Sequence, residues 1–286
     1  MDITYKTQTV GAVDVFYREA GPANAPVVLL LHGFPTTSHM FRTLIPRLAG
    51  RYRVIAPDLP GFGLTTAPAR GTFDYTFANL TEVIDGFTQA LHLSRYALYV
   101  FDYGAPVGFR LAAAHPERVT AIISQNGNAY QEGLSGAWSP YQAYWSNPSD
   151  ATRMVCRAAL TPDSLRTQYL SGADAARVSP DGYTLDIDYF SRPGTDEIQL
   201  DLIYDYRTNV ALYPDWQAYL RAHRPPLLAA WGKNDGFFLP PGAQAFRRDV
   251  PDAEIHFFDT GHFALETHGP EIAGLMLDFL GRRVPA

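Results

Sequence analysis

The sequence predicts an α/β fold: a mostly parallel, eight-stranded sheet flanked by helices, with a helical cap inserted after the sixth strand. Three observations predict it. Short apolar runs alternate with segments of helical period, the pattern of a parallel sheet covered on both faces. Two opening stretches alternate residue by residue instead, as a half-buried antiparallel hairpin does. From about Asn128 to Asp215 the strand–helix alternation breaks, and the chain becomes rich in Tyr, Trp, Asp and Pro. At 286 residues, 47% hydrophobic and 18% charged, the chain can bury a full core. The reading is one core, residues 1–127 and 216–286, with a cap subdomain at 128–215.

The hairpin covers Ile3–Thr9 and Val13–Arg18. Buried-strand runs follow at Pro26–Leu31, Arg53–Ala56, Tyr96–Phe101, Val119–Ser124, Pro226–Trp231 and Glu254–Phe258. Helical patterns separate them at Phe77–Leu91, Ala105–Ala114 and Pro270–Leu280. Inside the insertion, Pro162–Leu170 and Ile198–Val210 have helical rather than strand period, and Pro225-Pro226 marks the return to the sheet.

Charge and composition exclude several classes. With 23 Lys and Arg against 29 Asp and Glu the net charge is −6, which argues against nucleic acid or an anionic membrane as partner. A lone cysteine, Cys156, cannot form an internal disulfide. The first residues lack a basic and then apolar leader, and the longest apolar run, Ala25 to Leu31, is too short to span a bilayer. The expectation is a cytoplasmic protein, monomer or homodimer. The eight His include no metal-ligand spacing, so no metal and no cofactor are expected.

The chemistry is carried by Val100-Phe101-Asp102-Tyr103-Gly104, where an apolar strand turns directly into a helix. Such an elbow lifts one side chain above the carboxyl ends of the strands. Gly104 suits the close helix–strand approach, while Val100 is bulkier than the Gly or Ala usual at its place. The residue at the tip is Asp; alone, it could merely cap the helix. Thr260-Gly261-His262-Phe263 follows the last strand and Gly232-Lys233-Asn234-Asp235 the strand before it. A nucleophile, an acid and a base in the order Asp102, Asp235, His262, each just past a strand, form a triad arrangement.

On these residues the chain resembles the α/β-hydrolase superfamily over essentially its whole length. Two further motifs carry the resemblance: His32-Gly33-Phe34-Pro35 after the third strand and Asp58-Leu59-Pro60-Gly61-Phe62-Gly63 after the fourth. The first implies an oxyanion-hole N–H from Phe34; the N–H of Tyr103 would be the second.

An aspartate nucleophile changes the reaction. With a reference pKa of about 3.9 it is ionised at neutral pH and can displace a leaving group from saturated carbon. A base is then needed only to activate water against the resulting ester. That disfavours esterase, lipase, lactonase or peptidase chemistry and leaves an epoxide oxygen or a halide as leaving group. Haloalkane dehalogenases resemble the chain in His32-Gly33-x-Pro35-Thr36-x-Ser38, but usually carry Trp where Tyr103 stands and Asn or Glu where Phe34 stands. Haloacetate dehalogenases place arginines where Tyr103 and Pro106 lie.

The cap segment Ile203-Tyr204-Asp205-Tyr206-Arg207 resembles the Tyr-Tyr-Arg segment of epoxide hydrolases, which implies that Tyr206 binds the epoxide oxygen. Tyr141-Gln142-Ala143-Tyr144-Trp145-Ser146-Asn147-Pro148 resembles the segment supplying their partner tyrosine, which maps to Tyr141, with Tyr144 as stand-in. Trp138, Trp145, Tyr183 and Tyr189 would wall the cleft or pack the cap, giving an aromatic pocket for a small hydrophobic substrate. Asn126 and Asn128 read as loop residues that could line its floor, and Glu266 as a first-turn acid. The expected activity is epoxide hydrolysis to a vicinal diol. The rivals are a haloalkane or haloacid dehalogenase and a non-catalytic ligand receptor of the same fold.

Overall fold

The computed structural model describes residues 2–284. Among them the strands are β1 (Thr4–Val10), β2 (Val13–Ala20), β3 (Val27–Leu31), β4 (Arg53–Pro57), β5 (Tyr96–Phe101), β6 (Val119–Gln125), β7 (Leu227–Gly232) and β8 (Glu254–Phe258). They form one sheet in the order β1-β2-β4-β3-β5-β6-β7-β8. β1–β2 and β2–β4 pair antiparallel, and every other neighbouring pair is parallel. The hairpin closes through Gly11, whose φ of +58° lies where glycine meets no steric penalty.

Strand sequence dictates which layer each side chain joins. In β3, Val28 and Leu30 enter one apolar cluster while Leu29 and Leu31 enter the other. In β5, Ala97, Tyr99 and Phe101 face the first cluster, and Leu98 and Val100 the second. Helices α1 (Ile45–Leu48) and α10 (Ala264–Arg283) cover one face; α2 (Phe77–Ala90), α3 (Gly104–Ala114) and α9 (Pro240–Asp249) cover the other. α2 shows why the pattern works: Phe77, Leu80, Ile84 and Phe87 recur at helical spacing and are buried, and the Thr76 hydroxyl caps the helix by accepting from Asn79 N. α10 is interrupted at His268, which is non-helical ahead of Pro270.

Between β6 and β7 the chain forms α4 (Ser139–Ser146), α5 (Asp150–Arg157), α6 (Pro162–Leu170), α7 (Pro180–Phe190) and α8 (Thr195–His223), with no strand among them. The last runs without a break through position 215, so cap and core share one helix there. Among the described residues no helix is long and apolar enough to cross a membrane.

The strand order reverses direction between β3 and β5. A crevice at the carboxyl ends of strands is found at such a switch point, and the loops after β3 and β5 meet there.

Candidate active site

Only Asp102 and Tyr103 separate β5 from α3, and Asp102 takes a φ of +46°, a region that non-glycine residues rarely adopt. The turn is possible because its neighbours lack side chains. A β-carbon on Gly33 would stand 2.4 Å from Asp102 Cβ, and one on Gly104 would stand 2.2 Å from the Leu31 carbonyl oxygen. The bulk of Val100 is absorbed by Gly108, where a β-carbon would lie 2.4 Å from Val100 Cγ1.

The two expected N–H donors converge on one carboxylate oxygen. Asp102 Oδ1 accepts from Phe34 N and from Tyr103 N, each at 2.6 Å, the first bond bridging the β3–β5 switch point. Asp102 Oδ2 faces His262 Nε2 at 3.8 Å. On its other side, His262 Nδ1 meets Asp235 Oδ2 at 2.7 Å, and Asp235 Oδ1 accepts from Phe237 N at 2.7 Å. All three side chains are buried.

Burial disfavours the Asp102 anion and pushes its pKa up to about 6, against the pull of His262 and the two N–H donors. Burial also works against a His262 cation, but Asp235, by charge and hydrogen bond, and then Asp102, by charge, hold its pKa above the ordinary value.

The shape of the loops has identifiable causes. His32, which desolvation keeps neutral, accepts the Leu59 N–H at Nε2 (2.9 Å) and so ties the β3 loop to the β4 loop. Asp58 accepts from Ser38 N at 2.7 Å and Leu64 N at 2.9 Å. Glu266 is no mere first-turn acid: it forms a two-pronged ion pair with Arg42, at 2.9 and 2.8 Å.

Two residues at the end of β6 brace the triad; the sequence reading missed Gln125 and gave Asn126 only as a loop residue. Asn126 does not line the pocket floor. It donates from Nδ2 to Asp235 Oδ2 at 2.7 Å, and its Oδ1 accepts from Gly232 N at 2.9 Å. Gln125 Nε2 donates to the His262 carbonyl oxygen at 2.8 Å. Two adjacent carboxamides at the buried end of β6 were the available signal, since buried amides must find partners. Asn128 is likewise absent from the floor; it bonds the Tyr130 carbonyl at 2.7 Å and the Tyr213 hydroxyl at 3.2 Å.

Above the triad lies a cavity of about 40 Å³. Its polar groups are Asp102, His262, Tyr103, Tyr141, Tyr206 and Gln168; Phe34, Trp138, Ile203 and Phe237 complete the wall. Tyr206 is 1% exposed, and its hydroxyl, near that of Tyr213, makes no hydrogen bond of good geometry. Its ring packs against those of Trp138, at 4.6 Å, and Trp145, stacked at 6.0 Å. Burial, with smaller contributions from Cys156 and Asp102, pushes the Tyr141 phenol up to about 12; Tyr206 is driven well above the phenol range, chiefly by burial.

Two expected pocket residues lie outside it. Trp145 backs Tyr206 and donates its indole N–H to the Ile203 carbonyl at 2.7 Å. Tyr144 turns away to accept from Arg153 Nη1 at 2.9 Å, packed with Cys156 and Leu200. Of the two candidate tyrosines on α4, Tyr141 therefore lines the cavity. Gln168, on α6, gave no sequence signal. Among the described residues no three His, Cys, Asp or Glu side chains are grouped to hold a metal ion.

Comparison with known proteins shows the family of the fold. Residues 26–269 match the family described as alpha/beta hydrolase fold. An uncharacterised hydrolase of Saccharomyces cerevisiae is 48% identical over 274 residues, covering 94% of both chains. A haloalkane dehalogenase of Mycobacterium marinum is 43% identical over 112 residues, 39% of this chain and 37% of that one. The solved structure of the epoxide hydrolase CorEH superposes with a TM-score of 0.78 at 18% identity, covering 98% of this chain and 99% of that one, a likeness of fold.

Proposed function

The chain belongs to the alpha/beta hydrolase fold family, and from that premise we propose that it is an epoxide hydrolase working through an alkyl ester on Asp102. One observation carries the reading: the buried phenol of Tyr206, with no hydrogen bond of good geometry, shares a small cavity with Tyr141 and the nucleophile's carboxylate. A buried donor without an acceptor costs stability, so it suits an acceptor delivered by the substrate.

The epoxide oxygen lies between the two phenols while Asp102 Oδ2 attacks a ring carbon. The C–O bond breaks, and the alkoxide takes a proton from a phenol, for which Tyr141 is the better acid. Asp102 Oδ1, already held by the Phe34 and Tyr103 N–H groups, becomes the ester carbonyl oxygen in its oxyanion hole. Alkylation abolishes the Asp102 charge, one of the influences holding the His262 pKa up, and so frees the base as it is needed. His262 takes a proton from water, which attacks the ester carbon. The tetrahedral species collapses, the departing diol oxygen takes the proton from His262, and the new carboxylic acid returns its proton to the tyrosinate. The sum is epoxide plus water to vicinal diol.

Dehalogenation is the second reading, favoured by the partial sequence match to a haloalkane dehalogenase. A halide needs no proton, which leaves the two cap phenols without a task. The deciding experiment is a turnover assay on styrene oxide and propylene oxide beside bromoalkanes, with diol and bromide both measured. Diol formation without bromide release is expected; bromide release without diol overturns the reading.

A further inference from the structure

The cavity above Asp102 is walled on one side by the rings of Phe34 and Tyr103. Next to it, between the core loop after β4 and the end of α7, is a crevice of about 280 Å³. Phe62, Tyr75, Phe190 and Ile198 line it beside several threonines and Arg192.

A single layer of rings divides the two spaces. Phe34, which lines the cavity, packs edge-on against Phe190, which lines the crevice, with centroids 5.4 Å apart. Tyr103 on the cavity side meets Phe62 on the crevice side in the same way, at 6.3 Å. Three of these rings are fixed. Phe34 and Tyr103 are buried and packed on each other at 5.7 Å, and Phe62 is buried against the His32 ring at 5.3 Å. Phe190 differs: it is half-buried, ends its helix, and leads into the exposed turn Ser191–Gly194. It is the ring with freedom to move.

We infer that the crevice is the subsite for the epoxide's apolar substituent, of up to aromatic-ring size, and that Phe190 is the specificity-determining residue that admits it. The oxirane ring occupies the cavity, and its substituent passes the Phe34–Phe190 edge. The turnover arm of the test rests on the epoxide reading; a binding arm does not.

In the first arm, kcat/KM is compared for styrene oxide and propylene oxide. Phe190→Ala should raise the phenyl-to-methyl ratio about tenfold, and Phe190→Trp should lower it similarly, the range expected for reshaping an apolar pocket. Thr195→Phe fills the crevice from the start of α8, leaves the Phe34–Phe190 pair in place, and should also lower the ratio. In the second arm, affinities of phenylacetamide and acetamide are measured by calorimetry. An amide offers N–H to Asp102 and a carbonyl to the phenols without reacting, and its affinity ratio should move in the same directions. Amide ratios that move while no epoxide is turned over uphold the subsite and overturn the epoxide reading. Amide ratios within about twofold of wild type in Phe190→Trp and Thr195→Phe, both folded by circular dichroism, overturn the subsite whatever the turnover.

Discussion

Asn126 Nδ2 donates to Asp235 Oδ2 at 2.7 Å, the same oxygen that meets His262 Nδ1. Asn126 does so from a φ of +47°, a conformation whose cost is offset by its four side-chain bonds. The acid is thus oriented from outside the triad. Replacing Asn126 by Gly keeps the backbone relaxed and removes only the amide. Asp235, less neutralised, should pull the His262 pKa up, and ester hydrolysis should slow about tenfold, as for one lost charge-assisted hydrogen bond. Single-turnover kinetics across pH would show the hydrolytic limb displaced to higher pH; an unmoved limb would refute the orienting role.

Tyr206→Phe should separate activity from stability in opposite directions. Losing one transition-state donor costs about 3 kcal/mol, or roughly 10²-fold in epoxide opening. The wild-type hydroxyl is buried without a hydrogen bond of good geometry, so removing it should stabilise the fold by about 1 kcal/mol and raise the melting temperature a few degrees. Assays and thermal unfolding on the same preparation check both. A lowered melting temperature would mean the phenol has a structural partner.

His262→Gln should stop the cycle half-way. Alkylation needs the Asp102 carboxylate and the cap phenols, whereas hydrolysis needs the imidazole. Intact-mass spectra after epoxide treatment should show one added substrate mass, mapped by digestion to the peptide holding Asp102. In heavy-oxygen water the wild type should place label in the Asp102 carboxylate after several turnovers. Label confined to the diol would mean direct attack of water.

Below about pH 6 alkylation should fall by a factor approaching ten per pH unit, because only the Asp102 anion attacks and burial has raised its pKa to about 6. A pKa raised on folding favours the protonated native form, so stability from this group is present at low pH and lost as pH rises through 6. Asp102→Asn should therefore be inactive, more stable than wild type at pH 8, and level with it near pH 4. Denaturant melts at the two pH values test the sign. Equal stability gaps at both would show that the carboxylate is not desolvated as the fold implies.

The sequence by itself determined the sheet, the elbow and the triad. Each rests on local constraints: alternation of apolar runs and a polar residue just past a strand. Such signals survive in one dimension because neighbours in the chain create them. What only the tertiary structure decided depends on which faces meet. Tyr141 and Tyr144 lie three residues apart on α4, nearly on one side of the helix, and no periodicity tells them apart. Arg153 of α5 draws the hydroxyl of Tyr144 away, which leaves Tyr141 to the cavity. Trp145 reads as pocket wall until Tyr206 is seen to stand in front of it. Asn126 and Gln125 find their partners about 110 and 137 residues later in the chain. The crevice behind Phe190 exists only because a core loop and a cap helix end side by side. Long-range packing places these groups, and pairings so distant leave no local pattern to read.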